Sequence, residues 1–317
     1  MMALALLLSA PAFAQTEKQP TETIELNRKV ENLDRVPVIS SIDLDKSGTL
    51  LALGGDDQQI RLWDVGKKAF VRTFQRQHKD WVRGVAFSGD RSRLATVCQD
   101  GQLHLWDVQN GTLLRSFTDA GRGAQKVVFH PDDNSLAVCG FEANVKIYDL
   151  STGAVSNTLD APGTNCRTIA YSSDGSLLAV GGRTGIVRVW QSATGKVLAD
   201  LKGDGRRINA IAFSPDGKKL AIGSDGPFVT IWNPQDGTLL QTLPERPGKT
   251  FSIVFCDDDT LATGESDNVI RIWNLKTLTN TESLMGHTGT IATMVYEPTK
   301  KQLISGSFDT TLRFWHW

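Results

Sequence analysis

No C-x-x-C pair occurs in this chain of 317 residues. Its four cysteines, Cys98, Cys139, Cys166 and Cys256, show no metal-type spacing with its five histidines, so spacing alone gives no zinc site and no metal is expected. A phosphate loop, a dinucleotide fingerprint, a nucleophile elbow and a haem-attachment C-x-x-C-H are missing as well, and no cofactor is expected. Neither sign of charge is in surplus: 34 Lys and Arg against 35 Asp and Glu leave −1. That balance gives no global pull toward nucleic acid or an anionic membrane. Proline is scarce while Trp and β-branched residues are ample, which argues for a folded core rather than a disordered scaffold. Low-complexity segments and extended charge runs are also lacking. The acidic runs Asp132-Asp133 and Asp257–Asp259 fall in turns, where Asp serves the backbone, and make poor general acids.

What the chain does have is a repeat. Seven aromatic residues recur at almost constant spacing: Trp63, Trp106, Tyr148, Trp190, Trp232, Trp273 and Trp315, with gaps of 43, 42, 42, 42, 41 and 42. The most complete copy is Gly286–Trp315. Within it Ile291–Tyr296 is apolar and β-prone without helical periodicity, which reads as a buried strand. Glu297–Lys300 is a turn around Pro298. Gln302–Gly306 is a second strand, and Thr311–Trp315 a third that alternates in and out. In other copies a fourth strand follows a glycine turn, as at Asn110-Gly111, where both turn positions tolerate positive φ. Four short antiparallel strands make a blade that cannot bury both faces alone, so blades must stack. A period near 42 is the signature of a propeller array.

At these residues the chain resembles the WD-repeat family of G-protein β-like propellers. The pair that names the family stands at Trp63-Asp64 and Trp106-Asp107. It is relaxed to Tyr148-Asp149, Trp190-Gln191, Trp232-Asn233, Trp273-Asn274 and Trp315-His316. The family's Asp six residues ahead of the Trp corresponds to Asp57, Asp100, Glu142, Thr184, Gly226, Asp267 and Asp309. Its Phe-Ser-Pro-Asp-Gly turn is intact at Phe213–Gly217 and looser at Tyr171–Gly175. The resemblance implies an all-β, seven-bladed propeller with four antiparallel strands per blade. It also implies a hydrogen-bonded set inside a blade, carried by His78, Thr96, Asp100 and Trp106, and by His287, Ser305, Asp309 and Trp315. A His/Ser/Asp catalytic arrangement is the competing reading. The structural one is preferred, because a buried indole N–H, hydroxyl and carboxylate satisfy one another and no oxyanion element accompanies them.

The chain order follows. Residues 1–14 form an apolar run ending in Ala12-Phe13-Ala14, the small-x-small pattern of a secretory cleavage site, although no Lys or Arg precedes it. The run is too short to span a bilayer. A signal peptide over 1–14, an exported bacterial-type protein, a periplasmic or secreted location and no membrane insertion after signal removal are the expectations. Residues 15–20 are a polar leader, and 21–317 a single propeller. Its blades end near 74, 117, 159, 201, 243, 284 and 317. Thr21–Leu26 alternates polar and apolar residues. The seventh repeat stops after its third strand, so the segment at about 21–27 is free to supply the fourth and close the ring. Cys139 and Cys166 fall near one rim in adjacent blades, where they pair or remain isolated buried thiols.

In the family, partners dock most often on the face built from the inter-blade linkers and the loops before each third strand. Trp81, Phe141, Arg183, Arg207, Lys249 and Phe308 are the candidate partner-binding residues there; no catalytic residue is expected. Trp81 is either a binding hot spot or packed against its neighbouring blade. The rim gathers Lys79, Arg122, Arg183, Arg206, Arg207, Arg246 and Lys249 beside Asp56, Asp80, Asp204, Asp225 and Glu245. Such a basic tilt with a central aromatic suits an acidic protein segment or an anionic polymer, against the plainer reading of a solvated mixed-charge face. The leading expectation is a non-enzymatic scaffold, a monomeric propeller within a complex, binding a protein or peptide and no nucleic acid. The alternatives are a propeller enzyme or subunit of a periplasmic redox or hydrolytic complex, and the same scaffold in the cytoplasm.

Overall fold

A computed structural model describes residues 16–25, 36–117 and 119–317. Their backbone forms seven sheets in a ring, each of four antiparallel strands and one with a fifth added. Blade 1 runs from Ile39–Leu44 through Leu50–Gly55 and Ile60–Asp64 to Ala69–Thr73, each strand pairing with the next. Blades 2 to 6 repeat that order. The alternation in burial follows from it: inner strands are covered on both faces, as at Leu177–Gly182, whereas outermost strands such as Val155–Asp160 are largely exposed.

The apolar residues fall into seven clusters, and each lies between two neighbouring blades rather than within one. Trp106 packs with Ile60, Leu62 and Phe74 of blade 1. Trp315 packs with Ile270, Ile272 and Leu284 of blade 6. Ile39, Ile42 and Trp63 pack with Ile304, Leu312 and Phe314, which joins blade 1 to blade 7. Burial per side chain of this kind is worth about 1.5–3 kcal/mol. A single blade detached from the ring would lose both of its clusters. Close approach between blades needs glycine at the second strand: a Cβ at Gly264 would sit 2.5 Å from Ile291, and one at Gly306 would sit 2.6 Å from Ile39.

The closing strand is where the alternation at Thr21–Leu26 places it. Glu22–Glu25 runs antiparallel to Thr311–Trp315 and completes blade 7, with Glu22 opposite Phe314 and Ile24 opposite Leu312. Residues 26 and 27 of the expected strand, and the signal expected over 1–14, lie outside the described residues. The leader contributes more than its polarity implied. Thr16–Lys18 pairs in parallel with the outer strand Thr279–Leu284 of blade 6, and Met285 N–H donates to Lys18 O at 2.8 Å. The N-terminal stretch thus spans two blades.

Candidate binding face and blade networks

The blade networks separate structural residues from available ones. In blade 7, Trp315 Nε1 donates to Ser305 Oγ at 2.8 Å, and His287 Nε2 meets the same oxygen at 2.7 Å. His287 Nδ1 meets Asp309 Oδ2 at 2.7 Å, and Thr288 N, Thr311 N and Thr311 Oγ1 donate to that carboxylate. Burial pushes Asp309 up, but the His287 and Thr311 hydrogen bonds hold its carboxyl well below the usual range. Burial lowers the His287 pKa against the pull of Asp309. The Ser–His–Asp chain is geometrically complete, yet Ser305 is fully buried and its oxygen is held by the indole. A nucleophile needs access to a carbonyl, and this one has none.

Blade 2 keeps only part of the set. Thr96 Oγ1 accepts from Trp106 Nε1 at 2.9 Å and contacts His78 Nε2 at 2.8 Å. Asp100, expected to complete the network, makes no hydrogen bond to His78. It is exposed and accepts from the backbone amides of Lys79 and Gln102, at 3.0 and 2.9 Å, as Asp309 does from the amides of Thr288 and Thr311. Thr311, which steadies the Asp309 carboxylate in blade 7, is replaced at the equivalent place by Gln102, and Ser307 by Cys98.

Blade 6 has no histidine and uses another solution. Thr263 Oγ1 accepts from Trp273 Nε1 at 3.0 Å and donates to Glu265 at 2.9 Å. Arg271 bridges Glu265 at 2.5 Å, and Arg246 lies 3.4 Å from it. Burial raises the Glu265 carboxyl to about 7, against the opposing attraction of the two arginines. Arg246 is therefore a buried internal ion and not part of the basic rim to which its linker position assigned it.

The open face centres on the mouth of the central channel, a cavity of about 560 Å³. One repeat position lines it from every blade: Ser40, Arg83, Gln125, Arg167, Asn209, Phe251 and Ala292. All seven are partly exposed. Arg83 lies over the Trp81 ring, 4.2 Å from its centre, and Gln99 holds its guanidinium at 3.0 Å. Trp81 is half-buried, so it both packs and presents an edge. Arg167 Nε is buried without a hydrogen-bond partner among the described residues. Burial lowers the pKa of Arg167, and the charge of Arg207 lowers it further; Arg83 is lowered likewise by burial and by Arg167. Arg207 itself is exposed and lies 3.8 Å from Asp225. Deeper in the channel Asp43 accepts from Phe87 N at 2.7 Å; burial raises it to about 6 while Lys126 draws it down.

Of the six residues expected on the face, Phe308 lines the mouth, Trp81 backs Arg83, and Arg207 adjoins Arg167. Phe141, Arg183 and Lys249 are exposed but do not line the channel, and the Phe141 ring covers Gly123. Arg83 and Arg167 were missed. Their signal was present in the repeat, as the two cations at a position that is otherwise uncharged. Cys139 and Cys166 do come together in one core cluster, as free thiols, and burial raises Cys166 to about 11.

Six stretches, 34–64, 68–107, 153–191, 195–233, 237–274 and 278–316, match the family described as WD domain, G-beta repeat. Together with the seven-bladed ring they establish that the chain belongs to the WD-repeat family. The unmatched stretch 108–152 holds the first three strands of blade 3, in which Tyr148 replaces the Trp and donates to Asp119 O at 2.5 Å. The chain is similar to kinesin-like protein KIF21B of Homo sapiens, 34% identical over 65 residues, which is 20% of this chain and 4% of that one. It is similar to the U5 small nuclear ribonucleoprotein 40 kDa protein of Dictyostelium discoideum, 31% identical over 77 residues, 24% of this chain and 22% of that one. It is also similar to the U3 small nucleolar RNA-associated protein 15 homolog of Xenopus tropicalis, 35% identical over 72 residues, 23% of this chain and 14% of that one. The matched part spans under a quarter of the length of these relatives.

Two of these names correct one expectation. They belong to small nuclear and small nucleolar assemblies, which overturns the periplasmic or secreted location. The apolar run over 1–14 had carried that reading without the basic residues that normally lead a secretory signal.

Proposed function

We propose that the chain is a non-enzymatic scaffold that takes an acidic protein segment at the channel mouth. Arg83, Arg167 and Arg207 supply the charge, and Trp81 and Phe308 the apolar contact. The observation that carries this reading is Arg167, a guanidinium with a buried Nε lacking an acceptor, set between two further arginines. Like charges held together are costly, and an incoming carboxylate would relieve them through bidentate hydrogen bonds. Phe141, Arg183 and Lys249 form an outer margin that steers rather than anchors. Among the described residues lining the channel, Asp43 is the one carboxylate and histidine is lacking, which favours binding over acid–base chemistry. The names of two relatives, a ribonucleoprotein protein and an RNA-associated protein, support membership of an assembly. The ring acts as a single domain over 21–317, monomeric within that complex, without membrane insertion and with protein rather than nucleic acid as its direct partner.

The test is fluorescence anisotropy with a labelled Glu- and Asp-rich peptide. Arg167→Ala combined with Arg207→Glu should weaken binding at least tenfold while leaving the unfolding midpoint close to wild type. Trp81→Ala should weaken it further, and Lys249→Glu only a little. A single-stranded RNA of matched charge is the second probe. Tighter RNA binding, lost in the same variants, would overturn the protein-partner reading.

A further inference from the structure

We propose that blade 2 holds a zinc-class divalent ion on His78, Cys98 and Asp100. One donor atom from each of the three lies within 4.8 Å of the others. A nitrogen, a sulfur and a carboxylate oxygen form a donor set suited to zinc, which favours four-coordinate N/S sites with one position open to water. The residues come from the linker ahead of the blade, the end of its second strand and the turn beyond. That dispersal is why spacing along the chain concealed them.

Three further observations point to a ligand rather than to packing. His78 is 2% exposed, and its Nδ1 has no hydrogen-bond partner among the described residues. In blade 7 the same nitrogen of His287 is met by Asp309, so the open Nδ1 is peculiar to blade 2. Second, Ser307 of blade 7 is replaced at the equivalent place by Cys98, fully buried, toward which Asp100 N–H points at 3.5 Å. Metal binding there would displace the thiol proton, so uptake of the ion should be accompanied by proton release. Third, Arg313 of blade 7 is replaced by His104, so the site lacks a cation where blade 7 has one. The His104 and His78 ring centres lie 4.5 Å apart, and neither His104 nitrogen has a hydrogen-bond partner among the described residues.

The remaining geometry suits the ion. His78 Nε2–H can donate to Thr96 Oγ1, which also accepts from Trp106, leaving Nδ1 as the coordinating lone pair. Metal-bound histidines commonly donate their second nitrogen in this way. Zinc bonds of about 2.0–2.3 Å require donors about 3.5 Å apart, so the turn carrying Asp100 must close by roughly an ångström. Asp100 is exposed, which allows that movement and gives the ion a path from solvent.

The test uses the full chain stripped with a chelator, then titrated with Zn²⁺ against a chromophoric competitor. One Zn²⁺ per chain is expected, with a raised unfolding midpoint. Co²⁺ in its place should give a thiolate-to-metal charge-transfer band. Cys98→Ser should weaken Zn²⁺ at least tenfold and abolish the band. Because serine holds this position in blade 7, that variant should fold. Cys256→Ser should bind as wild type. Absence of stoichiometric Zn²⁺, wild-type affinity in Cys98→Ser, or loss of binding in Cys256→Ser would each overturn the assignment.

Discussion

Asp309 and Asp100 occupy equivalent repeat positions, and their different surroundings predict different costs of removal. The Asp309 side chain is 5% exposed and receives His287 Nδ1, the amides of Thr288 and Thr311, and the Thr311 hydroxyl. Truncation to alanine strands these donors, of which the buried His287 and Thr311 groups have no ready access to water. With about 1–3 kcal/mol for each buried unsatisfied group, and allowance for shared relaxation, Asp309→Ala should cost about 3–5 kcal/mol. Asp100 is exposed and caps two turn amides that water can take over, so Asp100→Ala should cost about 1 kcal/mol. Equilibrium urea unfolding followed by tryptophan fluorescence, with chelator present, reads both. The decisive quantity is the gap of about 2–4 kcal/mol between them. Equal losses would refute the claim that blade 7 holds a closed network and blade 2 an open one.

Acid should weaken the fold through the same blade. The His287 pKa is lowered on folding, so the unfolded chain takes up a proton first as pH falls below about 6.5, and stability declines at up to about 1.4 kcal/mol per pH unit. Asp309, also lowered, adds a further loss below about pH 4. Urea midpoints at pH 7 and pH 5 check this, and His287→Gln should flatten the slope by its share; an unaltered slope would refute it. Glu265→Ala leaves Arg246 buried and unpaired and should cost about 3–5 kcal/mol in the same assay, without altering peptide binding. Ile24→Ala should cost about 1–2 kcal/mol, because this side chain packs into the cluster between blades 7 and 1; an unchanged melt would mean that the closing strand adds nothing.

The ring was legible because its cause is periodic. Each aromatic from Trp63 to Trp315 sits where a strand must be covered by the preceding blade, and Ile24 alternates because one face of its strand is buried. The site was less legible because charge is not periodic. Arg246 and Arg207 both stand in or beside polar linkers, yet one is drawn inward by Glu265, a partner 19 residues away, and the other stays in solvent. Arg83 and Arg167 lie inside apolar strands, where patterning reads a core. Only the stacking of seven inner strands around an axis turns that position toward the channel. The open Nδ1 of His78 accompanies Cys98, Gln102 and His104 standing where blade 7 has Ser307, Thr311 and Arg313, differences between single side chains that no motif encodes.

The strand that seals the circle pairs Thr21 with Phe314, 293 positions apart. During translation the earlier segment leaves the ribosome first and has nothing to join until nearly the whole polypeptide has followed. For that interval, blade 1 faces the cell with its side toward blade 7 uncovered, including Ile39, Ile42 and Trp63. Long-range pairing of this sort slows folding and exposes apolar edges to wrong partners. Nascent chains halted before Trp315 should therefore be chaperone clients, released only when the strand Thr311–Trp315 has emerged.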